Sequence, residues 1–298
     1  MVSGVAVCLS SVSLTLSLGW ISACSPQHVA ELFLLRHDFH HTRDLAYGSD
    51  PRQHLDVYQP RTSQTAAPVV VFLYGGRWQH GSKNEYHLLG EAFTRQGLVA
   101  VVPDYRLYPQ VRFPEWVDDA ASVVRWARDN VQRYGGDSTR ILVVGHSSGA
   151  HTTALLALDH QYLRRAGVPP GVVRGFISLA GPVATQWTDS DVQALMGPPG
   201  GWPATYPMAQ VDGKAPPLLL LHGARDKTVD PANSVQLATG IRSHGGCSRV
   251  VVYKGLDHVG IVIALALPTI SIAPVMDEVM KFVRNPIADS CDPPGPPR

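Results

Sequence analysis

Short runs of β-branched and other apolar residues alternate with longer amphipathic segments along most of this sequence. Turn residues bound each run, as is typical of strands that are buried on both faces of a parallel sheet. Parallel neighbours need a crossover connection, so the alternation predicts an open, doubly wound α/β sheet with right-handed crossovers. The predicted strands are Val69–Tyr74, Val99–Val102, Ile141–Val144, Gly175–Leu179, Leu218–Leu221 and Arg249–Tyr253. The predicted helices are Asn84–Arg95, Trp116–Tyr134, Ala150–Leu158, Pro231–Ser243 and Ala273–Val283.

Two further segments complete the predicted architecture. Arg43–Tyr58 contains a turn at Tyr47-Gly48 and an alternating Leu-Asp-Val-Tyr stretch, which predicts an antiparallel hairpin before the parallel part. Gly181–Pro217 is rich in Gly, Pro and aromatic residues and lacks a regular pattern. We expect it to form a small cap or loop between the sixth and seventh strands, and the alternative is a surface excursion with buried anchors.

The N-terminal segment has the composition of an export signal. Residues 1–24 contain no Lys, Arg, Asp or Glu, and the apolar stretch Val5–Trp20 leads into Ile21-Ser22-Ala23-Cys24. The stretch is short for a membrane span. We expect residues 1–23 to be a signal segment and residues 24–298 to be a single catalytic domain. Export predicts a periplasmic protein, an outer-membrane-anchored lipoprotein or a secreted protein. A misassigned start codon or a buried N-terminal segment is the alternative to export.

The final residues of that segment, Ile-Ser-Ala-Cys, resemble the lipobox of bacterial lipoproteins. This resemblance implies that Cys24 becomes a lipidated N terminus and anchors the protein to a membrane. The basic residues that usually precede the apolar stretch are missing, and an ordinary signal peptidase could cleave at the same place.

Two cysteines, Cys247 and Cys291, lie outside the N-terminal segment. A pair of cysteines in an exported protein predicts one disulfide, and two free thiols are the alternative. The formal net charge is +1, and no block of like charges is present, so the sequence lacks the electrostatic pattern of a nucleic-acid or anionic-membrane protein. We therefore expect a small-molecule substrate.

A nucleophile motif follows the third of these apolar runs. Gly145-His146-Ser147-Ser148-Gly149 has the Gly-x-Ser-x-Gly pattern, and it lies between a predicted strand and a predicted helix. A serine on such a turn is exposed, and the free amides of the helix N terminus point towards it. We predict that Ser147 is a catalytic nucleophile; the alternative is a glycine-flanked turn with an inert serine.

A serine hydroxyl needs a base, and the base needs an orienting carboxylate. Asp226 follows the strand run that ends at Leu221, and His258 follows the last strand run, in the chain order Ser, acid, His. We predict Asp226 as the acid and His258 as the base. Asp230 is the second candidate for the acid, but it precedes Pro231 and is better suited to cap a helix.

The tetrahedral intermediate also needs hydrogen-bond donors for its oxyanion. Tyr-Gly-Gly-Arg-Trp at residues 74–78 follows a buried strand, and its glycines allow close backbone approach to a substrate. We assign the oxyanion hole to the amides of Gly76, Arg77 and Ser148; a simple tight turn is the alternative. The aromatic residues that we expect to line the substrate pocket are Trp78, Trp187, Trp202 and Tyr206.

Other histidines offer less specific signals. His37, His40 and His41 form a cluster, but no Cys or Glu accompanies them, so we expect a polar stretch and no metal site. His146 and His151 flank the nucleophile, and we expect them to shape the turn. The predicted chemistry needs no metal and no nucleotide cofactor.

The motifs together resemble those of the carboxylesterase branch of the α/β-hydrolase superfamily, close to bacterial feruloyl-esterase-like, prenylcysteine-methylesterase-like and kynurenine-formamidase-like proteins. The resemblance covers Leu45 to Val283. These families usually begin the oxyanion loop with His-Gly-Gly, whereas Tyr74 stands at the histidine position here. Further stretches that carry the resemblance are Leu55–Tyr58, Pro103–Leu107, Phe113-Pro114 and Gly135–Asp137.

The resemblance implies an α/β-hydrolase fold and a serine carboxylesterase acting on a small ester through an acyl-enzyme. We expect a short-chain or aromatic acyl group, because the cap is modest in size. Amide or formamide hydrolysis on the same triad is one alternative. A non-catalytic hydrolase-fold lipoprotein that binds a ligand is the other.

Overall fold

A twisted sheet of eight strands runs through the computed structural model, which describes residues 39–61, 66–183, 186–269 and 273–291. The predicted signal segment, Cys24, His37 and the tail Asp292–Arg298 lie outside these residues. The strands are β1 (Phe39–Ala46), β2 (His54–Pro60), β3 (Ala67–Leu73), β4 (Val99–Pro103), β5 (Gly136–His146), β6 (Val173–Leu179), β7 (Leu218–Gly223) and β8 (Ser248–Tyr253).

The strand order across the sheet is β1-β2-β4-β3-β5-β6-β7-β8. The β1–β2 and β2–β4 pairs are antiparallel, and every other pair is parallel. This arrangement confirms the predicted α/β-hydrolase fold, with a mostly parallel sheet and an N-terminal antiparallel hairpin. The central strands are buried and almost entirely apolar, as is typical of strands that helices cover on both faces.

Nine helices accompany the sheet in the described residues, together with short 3-10 turns at Lys83–Tyr86, Val131–Tyr134, Pro199–Thr205 and Pro207–Gln210. The helices are α1 (His87–Arg95), α2 (Glu115–Asn130), α3 (Ser148–Leu158), α4 (Gln161–Arg165), α5 (Ser190–Met196), α6 (Ala232–Ser243), α7 (Gly260–Ala266), α8 (Val275–Arg284) and α9 (Pro286–Cys291). No helix in the described ranges is both long and apolar enough to cross a bilayer.

The structure differs from the predicted elements mainly at their ends. β5 begins at Gly136, five residues before the predicted start at Ile141, because Gly136 already pairs with Ala67 of β3. The long predicted helix at Trp116–Tyr134 ends as an α-helix at Asn130 and finishes in a 3-10 turn, which Gly135 closes with a φ of 75°.

The parallel strands end at one edge of the sheet, and this edge carries the loops that matter for function. β3 and β5 are neighbours, with Leu73 opposite Gly145, so the loop after β3 lies beside the turn after β5. The turns after β7 and β8 reach the same edge. Ligands of open α/β sheets bind at the carboxyl ends of the strands.

A disulfide joins the start of β8 to the C-terminal helix. Cys247 and Cys291 are bonded, with 4.6 Å between their Cα atoms, which confirms the predicted pair. Arg249 on β8 reinforces this connection, because its guanidinium forms ion pairs with Glu278 on α8 and Asp289 on α9. The last two helices are thus fastened to the edge strand both covalently and electrostatically.

Replacement of both cysteines by serine (C247S/C291S) tests this connection. The disulfide closes a loop with a sequence separation of 44 residues, so its loss should lower the free energy of unfolding by about 4 kcal/mol through the larger entropy of the unfolded chain. Urea unfolding monitored by circular dichroism measures the change. Dithiothreitol should destabilise the wild type and leave the double variant unaffected; equal stability of the two proteins would contradict the prediction.

Candidate active site

Ser147 lies on a sharp turn between β5 and α3, and its backbone has φ 54° and ψ −121°. This conformation is strained for a residue with a side chain and is characteristic of a nucleophile elbow. The glycines on either side are required by space. A Cβ atom on Gly145 would collide with the carbonyl of Gly149, and one on Gly149 would collide with the carbonyl of Leu73.

Three of the predicted site residues meet at this turn. His258 Nε2 lies 2.9 Å from Ser147 Oγ, and His258 Nδ1 lies 2.7 Å from Asp226 Oδ2. The elements that carry them are the turn after β5, the turn after β7 and the loop after β8. Since the Asp226 carboxylate can only accept, Nδ1 of the neutral imidazole carries the proton, and Nε2 accepts from the serine hydroxyl. The geometry is that of a nucleophile, base and acid in series.

The carboxylate of Asp226 is buried yet held in its ionised form. Burial alone would raise the pKa of this carboxyl group, but hydrogen bonds from the Val229 amide, from His258 and from the Thr228 amide keep the pKa below its usual range. Both amides donate to Oδ1, at 2.8 Å from Thr228 and 2.9 Å from Val229. The turn after β7 therefore presents a fixed negative charge to the imidazole.

Asp230, the second candidate for the acid, has another role. Its side chain accepts a hydrogen bond from the Ala232 amide at 2.8 Å, at the first turn of α6. Asp230 thus binds a free amide at the start of the helix, as expected of a capping residue, although Pro231 occupies the N-cap position itself.

The two histidines beside the nucleophile are buried, and burial lowers the pKa of both to about 4. They are therefore neutral at pH 7. His146 Nε2 donates to the backbone carbonyl of His258 at 2.8 Å, and His151 Nε2 donates to the carbonyl of Thr205 at 2.8 Å. One fixes the loop that carries the base, and the other fixes the cap segment to α3.

The segments that carry the amides assigned to the oxyanion hole, the loop after β3 and the start of α3, lie beside the same turn. Among the described residues, the amides of Gly76 and Arg77 donate to no acceptor, and Ser148 begins a helix, where the first amides lack an intrahelical partner. Gly75 brings the loop against the nucleophile, since a Cβ atom there would lie 2.9 Å from Ser147 Cβ. Gly76 has a φ of 135°, which a side chain would strain.

Tyr74 supports this loop where related families have a histidine. Its hydroxyl donates to Asp104 Oδ1 at 2.9 Å and accepts from Arg52 at 2.9 Å. Its ring stacks between Tyr86 and Tyr105, with centroids 5.5 Å and 4.6 Å away. Asp104 and Tyr105 lie in Pro103–Leu107, one of the stretches that carry the resemblance, and Tyr105 also donates to the Tyr74 carbonyl at 2.6 Å. The substitution of tyrosine for histidine thus leaves the oxyanion loop firmly held.

The cap between β6 and β7 combines both sequence interpretations, because it covers the site and has buried anchors. Trp187 is 6% exposed, and its indole N–H donates to Thr205 Oγ1 at 2.6 Å. Its ring contacts Trp78 of the oxyanion loop, with centroids 6.1 Å apart, and Tyr206 at 5.8 Å. Trp202 is half-buried and donates within the cap to the Gly197 carbonyl. Trp78, Trp187 and Tyr206 therefore form one aromatic cluster, whereas Trp202 holds a turn.

An exposed ion pair also joins the cap to the oxyanion loop. The Arg77 guanidinium lies 2.8 Å from Asp189, which in turn accepts amide hydrogen bonds at the start of α5. The backbone amide of Arg77 is assigned to the oxyanion hole, whereas its side chain holds the cap through Asp189.

One residue of the site was missed by the sequence interpretation. His222 Nε2 lies 3.1 Å from Asp226 Oδ2, on the side of the carboxylate opposite the amides of the turn. A signal for His222 was present in the sequence, because this polar residue interrupts the end of an apolar strand four residues before the predicted acid.

His41 of the histidine cluster lies elsewhere, stacked on Tyr58 and hydrogen-bonded to Asp56. No metal-binding group of three His, Cys, Asp or Glu side chains occurs in the described ranges.

Replacement of Tyr74 by phenylalanine tests the support of the oxyanion loop. The variant keeps the stacked ring and loses the hydroxyl, so Asp104 and Arg52 each lose a buried partner. We expect the free energy of unfolding to fall by about 1–3 kcal/mol. Urea unfolding measures it. Tyr253→Phe is the matched control, because the Tyr253 hydroxyl is buried without a partner in the described structure and its removal should cost nothing. Equal effects of the two substitutions would contradict the proposed bracing.

Comparison with known families and proteins agrees with this architecture. The model of the prolyl oligopeptidase family matches residues 115–266, and a second model, BD-FAE, matches residues 55–167. Esterase LipC of Mycobacterium tuberculosis is 34% identical over 64% of this chain and 53% of its own length. A probable isoprenylcysteine alpha-carbonyl methylesterase of Arabidopsis thaliana is 26% identical over 72% of this chain and 50% of its own length. The chain thus spans about half the length of these curated relatives.

Solved structures share the fold. An inhibited form of esterase B from Lactobacillus rhamnosis superposes with a TM-score of 0.72 at 22% identity, covering 83% of this chain and 87% of that one. A truncated carbohydrate esterase from gut microbiota gives a TM-score of 0.71 at 19% identity, covering 84% and 96%. At these identities the likeness establishes the fold. The motifs predicted an α/β-hydrolase of the carboxylesterase branch, and the fold and the esterase relatives agree with that prediction. The prolyl oligopeptidase family was not foreseen, but its model matches half of the chain, so the chain belongs to that family within the α/β-hydrolase superfamily.

Proposed function

We propose that this protein is a serine carboxylesterase that hydrolyses a small ester with a short-chain or aromatic acyl group. The observation that carries the proposal is the continuous chain of hydrogen bonds from Ser147 through His258 to Asp226. Named esterases among its relatives support the same activity.

The geometry supports a two-stage reaction. His258 Nε2 takes the proton of the Ser147 hydroxyl while Oγ attacks the ester carbonyl carbon. The oxyanion is held by the amides of Gly76, Arg77 and Ser148, which have no other acceptor in the described residues. The imidazolium then gives its proton to the leaving alkoxide, so an alcohol departs and an acyl-enzyme remains. Water, deprotonated by the same imidazole, releases the carboxylic acid and restores the serine.

The cap supports a substrate with a small acyl group. Trp78 and Trp187 place apolar aromatic surface between the oxyanion loop and the cap, and both are almost completely buried. Such a compact wall favours short or flat acyl groups over long aliphatic chains. The indole of Trp187 is fixed by its bond to Thr205, so the wall has little freedom to open for a larger group.

Amide hydrolysis on the same triad is the second candidate, and the match to the prolyl oligopeptidase family model favours it. The two activities differ in the leaving group, since an amine must be fully protonated by the His258 imidazolium before it departs whereas an alkoxide needs less proton transfer. Paired p-nitrophenyl esters and p-nitroanilides with the same acyl group separate them. We expect the ester to be the better substrate.

Replacement of Ser147 by alanine tests the proposed activity on a p-nitrophenyl ester series of increasing acyl length. We expect the wild type to prefer the short and aromatic members, and kcat/KM of the variant to fall by at least about a thousandfold because the hydroxyl that His258 contacts is removed. Ser243→Ala, an exposed serine at the end of α6, is the control and should keep full activity. Undiminished hydrolysis by Ser147→Ala would end the proposal.

We also propose that the protein is exported and anchored to a membrane through a lipid on Cys24. The uncharged apolar residues that precede Cys24 and the Ile-Ser-Ala-Cys sequence support this proposal. The disulfide between Cys247 and Cys291 is consistent with an oxidising compartment.

Mass spectrometry of the protein purified from bacterial membranes tests the anchor. We expect an N-terminal peptide that begins at residue 24 and carries acyl chains, and we expect Cys24→Ser to release the protein into the soluble fraction. Cys8→Ser, at the other cysteine of the N-terminal segment, should leave anchoring unchanged. An unmodified N terminus at another residue would contradict the proposal.

A further inference from the structure

His222 is a buried polar residue at the end of an apolar strand, and the reaction described above makes no use of it. It lies in β7, four residues before Asp226, and its side chain is 0% exposed. A polar ring in such a place is unfavourable unless its nitrogen atoms have partners. Its partners therefore indicate what it does.

The hydrogen-bond partners of His222 determine where its proton lies. Nε2 is 3.1 Å from Asp226 Oδ2 and 3.0 Å from the Val229 carbonyl oxygen, and both of these atoms are acceptors. Nε2 must therefore carry a proton. Nδ1 lies 2.7 Å from Ser234 Oγ, whose hydroxyl can donate to it. Burial lowers the pKa of His222, so the ring is neutral, with its single proton on Nε2.

The Asp226 carboxylate is thereby surrounded by four donors. Oδ1 accepts from the amides of Thr228 and Val229, and Oδ2 accepts from the imidazoles of His258 and His222. The oxygen that orients the base is thus the one that His222 also holds. An ionised carboxylate has about four acceptor sites, so none is left over.

We propose that His222 is a positioning residue of this active site, whose Nε2–H holds Oδ2 of Asp226 in place and shares the charge that Asp226 presents to His258. The proposal rests on the proposed esterase function. His222 does not touch the nucleophile, and it acts through Asp226 on the orientation and basicity of His258.

Loss of this donor should strengthen the electrostatic interaction between Asp226 and His258. Without His222, the negative charge on Oδ2 is shared with fewer donors and interacts more strongly with His258. That stabilises the imidazolium, so the pKa of His258 should rise, and the acid limb of the kcat/KM profile should move to higher pH. The other titratable group in contact with this pair in the described residues is His146, which is neutral because burial lowers its pKa to about 4.

Two substitutions of matched length separate the donor from the shape of the side chain. His222→Gln can place an amide N–H near the position of Nε2, whereas His222→Met has a similar size and no donor. We expect Gln to keep kcat within about threefold and Met to lose about ten- to a hundredfold, as for a buried charge-assisted hydrogen bond. KM should change little in both, and the acid limb should shift in Met alone. Equal kinetics and equal pH profiles for Gln and Met would overturn the proposal.

Nuclear magnetic resonance of the histidine ring nitrogens gives a readout that does not depend on activity. We expect the His222 proton on Nε2 in the wild type, and a higher pKa of His258 in the Met variant than in the wild type or the Gln variant. If Met fails to fold, Ser234→Ala takes its place: it removes the donor to Nδ1 and should shift His258 in the same direction by less. A wild-type proton on Nδ1 of His222, or no shift of His258, would overturn the proposal.

Failure of the proposed function is distinguishable from failure of this inference. If the wild-type protein has no esterase activity, the proposed function is wrong. The nuclear magnetic resonance titrations of the histidine rings would still report on the coupling between His222 and His258. If the wild type is active and the His222→Gln and His222→Met variants do not differ, only the proposed role of His222 is wrong.

Discussion

The site depends on the parallel pairing of five strands, in the order β3, β5, β6, β7 and β8. Ser147 and His258 are separated by 111 residues in the sequence, and they meet because parallel strands end at one edge of the sheet. The antiparallel hairpin at the other end contributes no triad residue. Its residue Arg52, just before β2, instead reaches across the sheet edge to the Tyr74 hydroxyl and to the Gly81 carbonyl of the oxyanion loop.

Two carboxylates hold this edge together, and each accepts hydrogen bonds from specific partners. Asp226 is kept ionised by two amides and the His258 imidazole, although burial opposes its charge, and it also accepts a hydrogen bond from His222. Asp104 has a parallel role beneath the oxyanion loop, where it accepts from Tyr74 and from the Lys83 amide. In both places a carboxylate fixes a functional loop, so the preorganisation of the site is electrostatic.

The sequence was sufficient to predict the fold and the positions of the triad candidates, because long apolar strands and the Gly-x-Ser-x-Gly turn are local patterns. The short helices α4, α5, α7 and α9 were missed, since five to seven residues are too few to show a helical period. The roles of Tyr74 and His222 could not be predicted because their partners come from distant segments. Arg52 and Asp104 meet Tyr74 only in the folded chain.

The most direct test of the central claim is the site of covalent labelling by a fluorophosphonate, because such a reagent reacts with a serine that is activated by a base and faces an oxyanion hole. Peptide mass spectrometry of the labelled, folded protein identifies the modified residue. The account predicts one adduct per chain, located on Ser147, and no adduct in a protein unfolded before exposure. Absence of labelling in the folded protein, or an adduct on another serine, would contradict it.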